Sequence, residues 1–331
     1  MAEVWTPSLL DEACKGLVIK GEWTWPNELD VKRMDRAVHD LLEVYPVLKS
    51  GDPSSFHCHK APPFDRKKDR IQVTLDGTRL SISASHFIMD GFCFYRIANT
   101  LMALYSGRPL PQVLDFTKVG IRDLELPEEL EPSLFFPIPR SIMLLLLWKK
   151  LYRPRKRTFF VPEGRIASLK KEAKASSTSV LTALVYEKLG RRKLSFVQTV
   201  DHRGRFPGLD RDYGGNAATT TSPIQLDAGL DVVEAAHRLD QGLRERLFQD
   251  GVWLPQYLLL LKRKEAMLPF PIGEAWKRRS ECIIVNSFLC FDVWDGMAAD
   301  GILPLSSTPP DLPDPVRFYP ARGGVSVIMK L

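Results

Sequence analysis

Ser81 to Arg96 reads SISASHFIMDGFCFYR, and the rest of the chain is organised around it. Just upstream, Val73 to Ser85 (VTLDGTRLSISAS) alternates apolar and polar residues on either side of Asp76-Gly77. That is the pattern of a β-hairpin closed by a tight turn. The second strand, Leu80 to Ser85, delivers His86 at its end. After Gly91 the period changes: Phe94, Ile97, Leu101 and Leu104 recur at spacings of three and four, which predicts a helix. One histidine therefore stands where a strand ends, four residues before an aspartate that opens a helix. An imidazole titrates close to working pH and, when neutral, can act as a general base. A histidine near an aspartate is more often a satisfied polar pair than a catalyst. The remainder of the chain has to decide between the two.

At 331 residues the chain is long enough for two ordinary domains. Hydrophobic residues at 44% and charged residues at 26% are globular values, which exclude a chain dominated by disorder. No fixed-period repeat argues for a solenoid. The formal charge is +6, and much of the excess is local, at Lys149, Lys150, Arg153, Arg155, Lys156 and Arg157. Nucleic-acid binding would want aromatic interleaving or a recognised fold, and neither is present. An acidic ligand, an anionic membrane surface and a plain solvated linker all remain open for that run. Just before it, Ser141 to Trp148 (SIMLLLLW) is far too short for a spanning helix of about 20 residues. It reads as a buried helix or, with the basic residues after it, as an interfacial anchor.

Five cysteines (Cys14, Cys58, Cys93, Cys282, Cys290) show no paired spacing, and the N-terminus lacks the basic and apolar regions of a signal peptide. The expectation is a reducing, cytoplasmic compartment without structural disulfides. His57-Cys58-His59 lie too close together to close a metal tetrahedron unaided and are read as a loop, so no metal is expected.

Taken in order, Lys15 to Glu22 predicts a strand. Asn27 to Asp30 predicts a helix start, and Val31, Met34, Val38, Leu41, Leu42 and Tyr45 predict a helical stripe that gives out before Pro46. Lys49 to Arg70 is polar and turn-rich. Thr158 to Pro162 is a strand, Ile166 starts an amphipathic helix, Ser176 to Ser179 break it, and a further helix follows to Glu187. Leu194 to Val200, a strand, runs into Asp201-His-Arg203-Gly-Arg205-Phe-Pro207 and then Tyr213-Gly-Gly-Asn216. Beyond lie a strand at Ile224–Leu226, helices over Leu230–Phe248 and Trp253–Ala266, a buried strand at Cys282–Phe288, and a closing glycine turn and strand from Gly323 to Leu331.

The string His86-x-x-x-Asp90-Gly91, followed in the second half by "D-x-R-x-R" and "Y-x-G-N", resembles the CoA-dependent acyltransferase superfamily. That group includes plant-type BAHD acyltransferases, chloramphenicol acetyltransferase and peptide-synthetase condensation domains. The Tyr45-Pro46 corner and the Thr158 to Glu187 stretch lie where the family has their counterparts. Two departures mark a divergent branch. The interval Lys49 to Arg70 is short, so the first domain reads as trimmed and its completeness stays open. Where BAHD enzymes carry Asp-Phe-Gly-Trp-Gly, this chain has Met297-Ala-Ala-Asp300-Gly301, so Met297 replaces the family's aspartate.

The resemblance implies an α+β fold, a two-domain chloramphenicol-acetyltransferase-like sandwich of mixed sheets flanked by helices, with an active-site tunnel at the domain interface. The first domain would be 1–140, the crossover 141–157 and the second domain 158–331. It implies a monomeric transferase of secondary metabolism that binds no resident cofactor. The implied co-substrate is acyl-CoA, and the acceptor is a small-molecule alcohol or amine. His86 would be the general base. Asp90 would point away from substrate and pair with Arg203 from the second domain, Gly91 would allow a close turn, and Asn216 would fix the interface. Arg205 would serve structure or a phosphate. Condensation domains carry a second histidine just before the catalytic one; here that residue is Ser85, which disfavours a carrier-protein donor. A silent relative that only binds, and a lipid acyltransferase touching membrane through 141–157, remain as alternatives.

Overall fold

The structure is a computed structural model that describes residues 6–49, 56–58, 64–65, 69–118, 120–131, 135–137, 156–206, 208–221, 223–263, 267–269, 282–308 and 316–330. The first part of the chain forms α1 (Leu9–Ala13), β1 (Val18–Thr24), α2 (Val31–Val44), β2 (Phe56–Cys58), β3 (Ile71–Asp76), β4 (Arg79–Ser85) and α3 (Gly91–Ser106). Then come β5 (Phe135–Pro137), β6 (Lys156–Pro162), α4 (Glu163–Ala173), α5 (Ser177–Lys188), β7 (Leu194–Asp201), β8 (Ala218–Thr220), β9 (Ile224–Leu226) and α6 (Val232–Arg263). The last strands are β10 (Met267–Pro269), β11 (Cys282–Ser287), β12 (Ser306–Thr308), β13 (Val316–Ala321) and β14 (Gly324–Lys330).

These elements fall into two units. The first takes in Met1–Leu124, His202–Ala217 and Phe291–Leu312; the second takes in Glu125–Asp201, Ala218–Cys290 and Pro313–Leu331. The sequence reading cuts the chain into consecutive halves, whereas these units interleave. The reason is physical: β12 pairs with β1, and the 202–217 loop makes its ion pair with Asp90. Of the crossover 141–157, only Lys156 and Arg157 are described, both exposed on β6; the apolar run lies outside the described residues. Among the described residues no helix is long and apolar enough to cross a membrane.

The first unit holds a five-stranded mixed sheet in the order β12-β1-β4-β3-β2, with β2 parallel to β3 and the other pairs antiparallel. The β3–β4 hairpin pairs Asp76 with Arg79, so its two-residue loop is Gly77-Thr78, one residue later than read. Gly77 takes φ +57°, in the first central position where a primed turn wants glycine. The register sets Val73 against Ile82 and Leu75 against Leu80, and Leu80 in turn against Trp23, an apolar row on one face. Trp23 stacks on Phe94 of α3 at 6.4 Å, which seats that helix on the row. Helix α2 starts at Asp30, whose side chain accepts from Arg33 N–H, and buries Met34, Ala37, Val38 and Leu41. Val31, read into the same stripe, is 40% exposed, because the first turn of the helix turns it outward.

The second unit is built on β6-β14-β13-β11-β7, with β8 and β9 both pairing with β7. Strand β11 lies between β7 and β13 and runs parallel to both, which is why Cys282 to Val285 is a continuous apolar run rather than an alternation. Its core joins Val180, Leu181 and Leu184 of α5 to Phe196, Ile283, Val285, Phe318 and Val327 of the sheet. A fully buried side chain of this kind contributes about 1.5–3 kcal/mol relative to exposure. Where the sequence predicts two helices, α6 runs unbroken for 32 residues through Pro255. Leu254, Leu258, Leu259 and Leu260 are buried there, and that burial offsets the roughly 3 kcal/mol that an interior proline costs.

Candidate active site

His86 follows the last residue of β4, which lies between β1 and β3 in the middle of its sheet. The pairing continues past the strand end: Ser85 N–H donates to Arg70 O and His86 N–H donates to Leu17 O, each at 2.9 Å. The His86 carbonyl accepts from Asn216 Nδ2 at 2.8 Å. Both backbone polar groups of His86 are therefore fixed. The ring Nδ1 is buried and has no hydrogen-bond partner among the described residues.

Asp90 caps α3. One carboxylate oxygen accepts from Cys93 N–H at 3.1 Å; the other accepts from Arg203 Nη1 at 2.8 Å and from Ala217 N–H at 3.0 Å. These bonds occupy both carboxylate oxygens and tie Asp90 to the helix start and to the 202–217 loop. Burial pushes its carboxyl up, but the Arg203 charge and hydrogen bond, with the two amides, more than offset this and hold it below the usual carboxylate range. Gly91 is the first helical residue and does not take positive φ.

Arg203 is 6% exposed, and all three nitrogens of its fork are engaged. Nε donates to Tyr213 O at 2.8 Å, and Nη2 donates to Gly215 O at 2.5 Å and to Cys93 Sγ at 3.2 Å. Its plane lies over Phe92 at 4.9 Å and Tyr213 at 5.8 Å. The resemblance assigns Arg203 to the second domain; here its loop belongs to the first unit. That loop closes on itself, His202 N–H donating to Ala217 O at 2.9 Å. Asp115 exchanges backbone bonds with Asp212 and Gly214 at 2.8 Å each. Lys118 grips Asp210 at 2.8 Å and Asp212 at 2.5 Å. Arg203 and Asn216, near the two ends of the loop, thus hold the two ends of the His86–Asp90 turn.

Asn216 is 3% exposed. Besides His86 O, it reaches Asp11, whose Oδ1 accepts from Asn216 N–H at 2.9 Å and from Asn216 Nδ2 at 2.8 Å. These partners lie in its own unit. Gly215, with φ +124°, takes the left-handed conformation that the site requires, and a Cβ there would sit 3.3 Å from the Tyr213 hydroxyl and 3.5 Å from Asp11 Oδ1. Arg205 is exposed, and its backbone N–H donates to His202 O at 3.0 Å. His202, 2% exposed, is held neutral: burial, then the charges of Arg205 and Arg203, lower its pKa to about 4.

Sequence reasoning missed Asp11, Gly215, His202 and Cys14. The one available signal for Asp11 is Ser8-x-x-Asp11, a helix-start box in which Asp11 N–H donates to Ser8 Oγ at 3.2 Å and Ser8 N–H donates to Asp11 Oδ2 at 2.7 Å. Cys14 is inert, its thiol pushed up to about 12 by burial and by the carboxylates of Asp11 and Asp90. Met297 is fully buried. Asp300, three residues on, takes Arg33 in a two-pronged pair at 2.9 Å and 3.0 Å.

No protein-family profile and no curated protein sequence matches the chain. Solved structures do. TRI101 of F. sporotrichioides, solved with coenzyme A and T-2, is 14% identical and superposes over 98% of this chain and 94% of that one with a TM-score of 0.70. Vinorine synthase is 16% identical over 98% and 90%, with a TM-score of 0.69. The first condensation domain of the calcium-dependent antibiotic synthetase is 12% identical over 98% and 90%, with a TM-score of 0.60. The chain shares the α+β fold of these structures. At these identities the likeness establishes the fold alone.

Proposed function

We propose that the protein transfers an acyl group from an acyl-CoA thioester to an alcohol or amine acceptor, with His86 as general base. The observation that carries this reading is the double clamp on the His86 backbone, by Leu17 O at 2.9 Å and Asn216 Nδ2 at 2.8 Å, in a fold shared with a protein solved with coenzyme A. A base must be held within a fraction of an ångström of its proton donor to be useful. In the reaction the imidazole takes the acceptor's proton while the acceptor oxygen or nitrogen bonds to the thioester carbon. The carbonyl oxygen becomes the oxyanion. Collapse breaks the carbon–sulfur bond, and the imidazolium returns the proton to the departing thiolate. One titrating group suffices. Asp90, Arg203 and Asn216 bind nothing in this scheme; they hold the turn. Arg205, which is exposed, is the residue we assign to a CoA phosphate, where its loss would raise the KM for acyl-CoA and leave kcat alone.

One observation favours a second reading, in which the fold binds without turnover. A base that uses its Nε2 lone pair carries its proton on Nδ1, which is buried with no acceptor among the described residues, and an unmet buried donor costs about 1–3 kcal/mol. A single experiment separates the readings: thiol release from a panel of acyl-CoAs with pooled alcohols and amines, comparing wild type with His86→Ala. The proposal expects acceptor-dependent release that falls about 100- to 10,000-fold in a folded mutant. No release from folded wild type with any donor favours the binding reading.

A further inference from the structure

We infer that Asp11 is a positioning residue for His86, acting through the side-chain amide of Asn216; the inference rests on His86 being the base. Asp11 sits in α1, 205 residues from Asn216 in the chain, and is fully buried. Its two carboxylate oxygens do different work. Oδ2 accepts from Ser8 N–H at 2.7 Å and closes the helix start. Oδ1 takes no part in that cap and accepts from Asn216 N–H at 2.9 Å and from Asn216 Nδ2 at 2.8 Å.

An amide NH2 carries two hydrogens. In Asn216 one goes to Asp11 Oδ1 and the other to the His86 carbonyl. Turned over, the amide would aim its oxygen at a carboxylate and a carbonyl, neither of which can donate. Asp11 therefore selects the orientation of Asn216 in which the amide can hold His86. The ring gains no such anchor of its own, since Nδ1 has no partner among the described residues. Its aim follows from its backbone, and the backbone follows from Leu17 and Asn216. Without Asp11, the amide is free to flip and the His86 carbonyl loses its donor.

The test compares Asp11→Ala, Asn216→Ala, the double variant, Asp11→Asn, and Ser8→Ala as the control that opens the helix cap without touching Oδ1. Asp11→Ala is expected to lower kcat about 10- to 100-fold, with the KM for acyl-CoA within about twofold. Asn216→Ala should match it, and the double variant should fall no further, because both break one chain of bonds. Asp11→Asn, which keeps an acceptor oxygen, should fall between, and it stands in for Asp11→Ala should that variant not fold. Ser8→Ala should lower the melting temperature and leave kcat alone. Losses that multiply, or an Asp11→Ala enzyme with wild-type kcat, would overturn the proposal. The second readout needs no turnover: the imidazole Cε1–H resonance of His86 in carbon-13 histidine-labelled protein, identified by its disappearance in His86→Gln. Asp11→Ala and Asn216→Ala should displace it alike, and Ser8→Ala should not. A resonance that stays put in both overturns the positioning role. A wild type silent with every acyl-CoA would sink the proposed function and leave Asp11 to be judged on the resonance.

Discussion

Asp90 in the first unit and Asp240 in the second are both 5% exposed, and both are held below the usual carboxylate range against the upward push of burial. They reach that state by different means. Asp90 meets a buried cation, Arg203, whose side chain is 2% exposed. Asp240, on α6, reaches the start of α5, where its carboxylate accepts from Ser176 N–H at 2.7 Å and Ser179 Oγ at 3.1 Å; its cation, Arg244, has a side chain 71% exposed. Charge answers charge in the first case, and neutral dipoles at a helix start do most of the work in the second. Neutral donors satisfy a carboxylate without bringing a second ion out of water. A buried ion pair desolvates two charges and is weak evidence of stability, yet it is costly to break on one side. A protein that keeps such a pair beside a clamped histidine keeps it for geometry.

Arg203→Ala should produce the largest stability loss, about 3–5 kcal/mol, because it strands the Asp90 charge and also removes the donors to Tyr213 O and Gly215 O. Urea unfolding reads it directly. Arg203→Lys should recover little, since one ammonium cannot serve acceptors spread over a planar fork. A loss below about 1 kcal/mol would place Arg203 with Arg244 as a peripheral charge and dissolve the contrast between the units.

Beside Asp90, in the same unit, His202 predicts a pH response of its own. An unfolded histidine binds its proton below about pH 6.5, whereas folded His202 does so only near pH 4. Between these values the unfolded state holds more protons, so stability falls as pH drops from about 6.5 to about 4, by up to about 3 kcal/mol at 1.36 kcal/mol per pKa unit. Asp90, with its carboxyl lowered, keeps its contribution above about pH 4 and loses it only below. Unfolding free energies of wild type and His202→Gln across pH 4–7 check this. The variant should lose the slope in that window, and an unchanged slope would assign it elsewhere.

How much of this was legible in the chain depends on separation. The hairpin, the cap at Asp90 and the helix after it are written within 36 residues of one another, from Ile71 to Ser106, by alternation, a glycine turn and a change of period. The Asp90–Arg203 pair spans 113 positions and was readable only because both ends lie in motifs that resemble a known family. Asp11 lies in no such motif, and nothing local says that its second oxygen is committed 205 positions away. Strand β12, Ser-Ser-Thr, has no apolar alternation at all; it is a strand because β1 offers an open edge to it. The long α6 was hidden for the opposite reason: its proline is a strong local signal, and tertiary burial overrode it.

The smallest effect belongs to Arg244, and it decides whether the second unit's carboxylate is truly independent of its cation. Arg244 reaches Asp240 Oδ2 at 2.8 Å from one helical turn away, with most of its side chain in water. Exposed pairs of this spacing are worth about 0.3–0.5 kcal/mol, so Arg244→Ala should shift the urea midpoint barely beyond error. Asp240→Asn should cost more, about 0.5–2 kcal/mol, since its acceptor ties down the Ser176 cap. If the arginine variant instead cost as much as the aspartate variant, Asp240 would depend on its ion pair after all. The distinction between a carboxylate held by charge and one held by dipoles would then reduce to a difference in exposure.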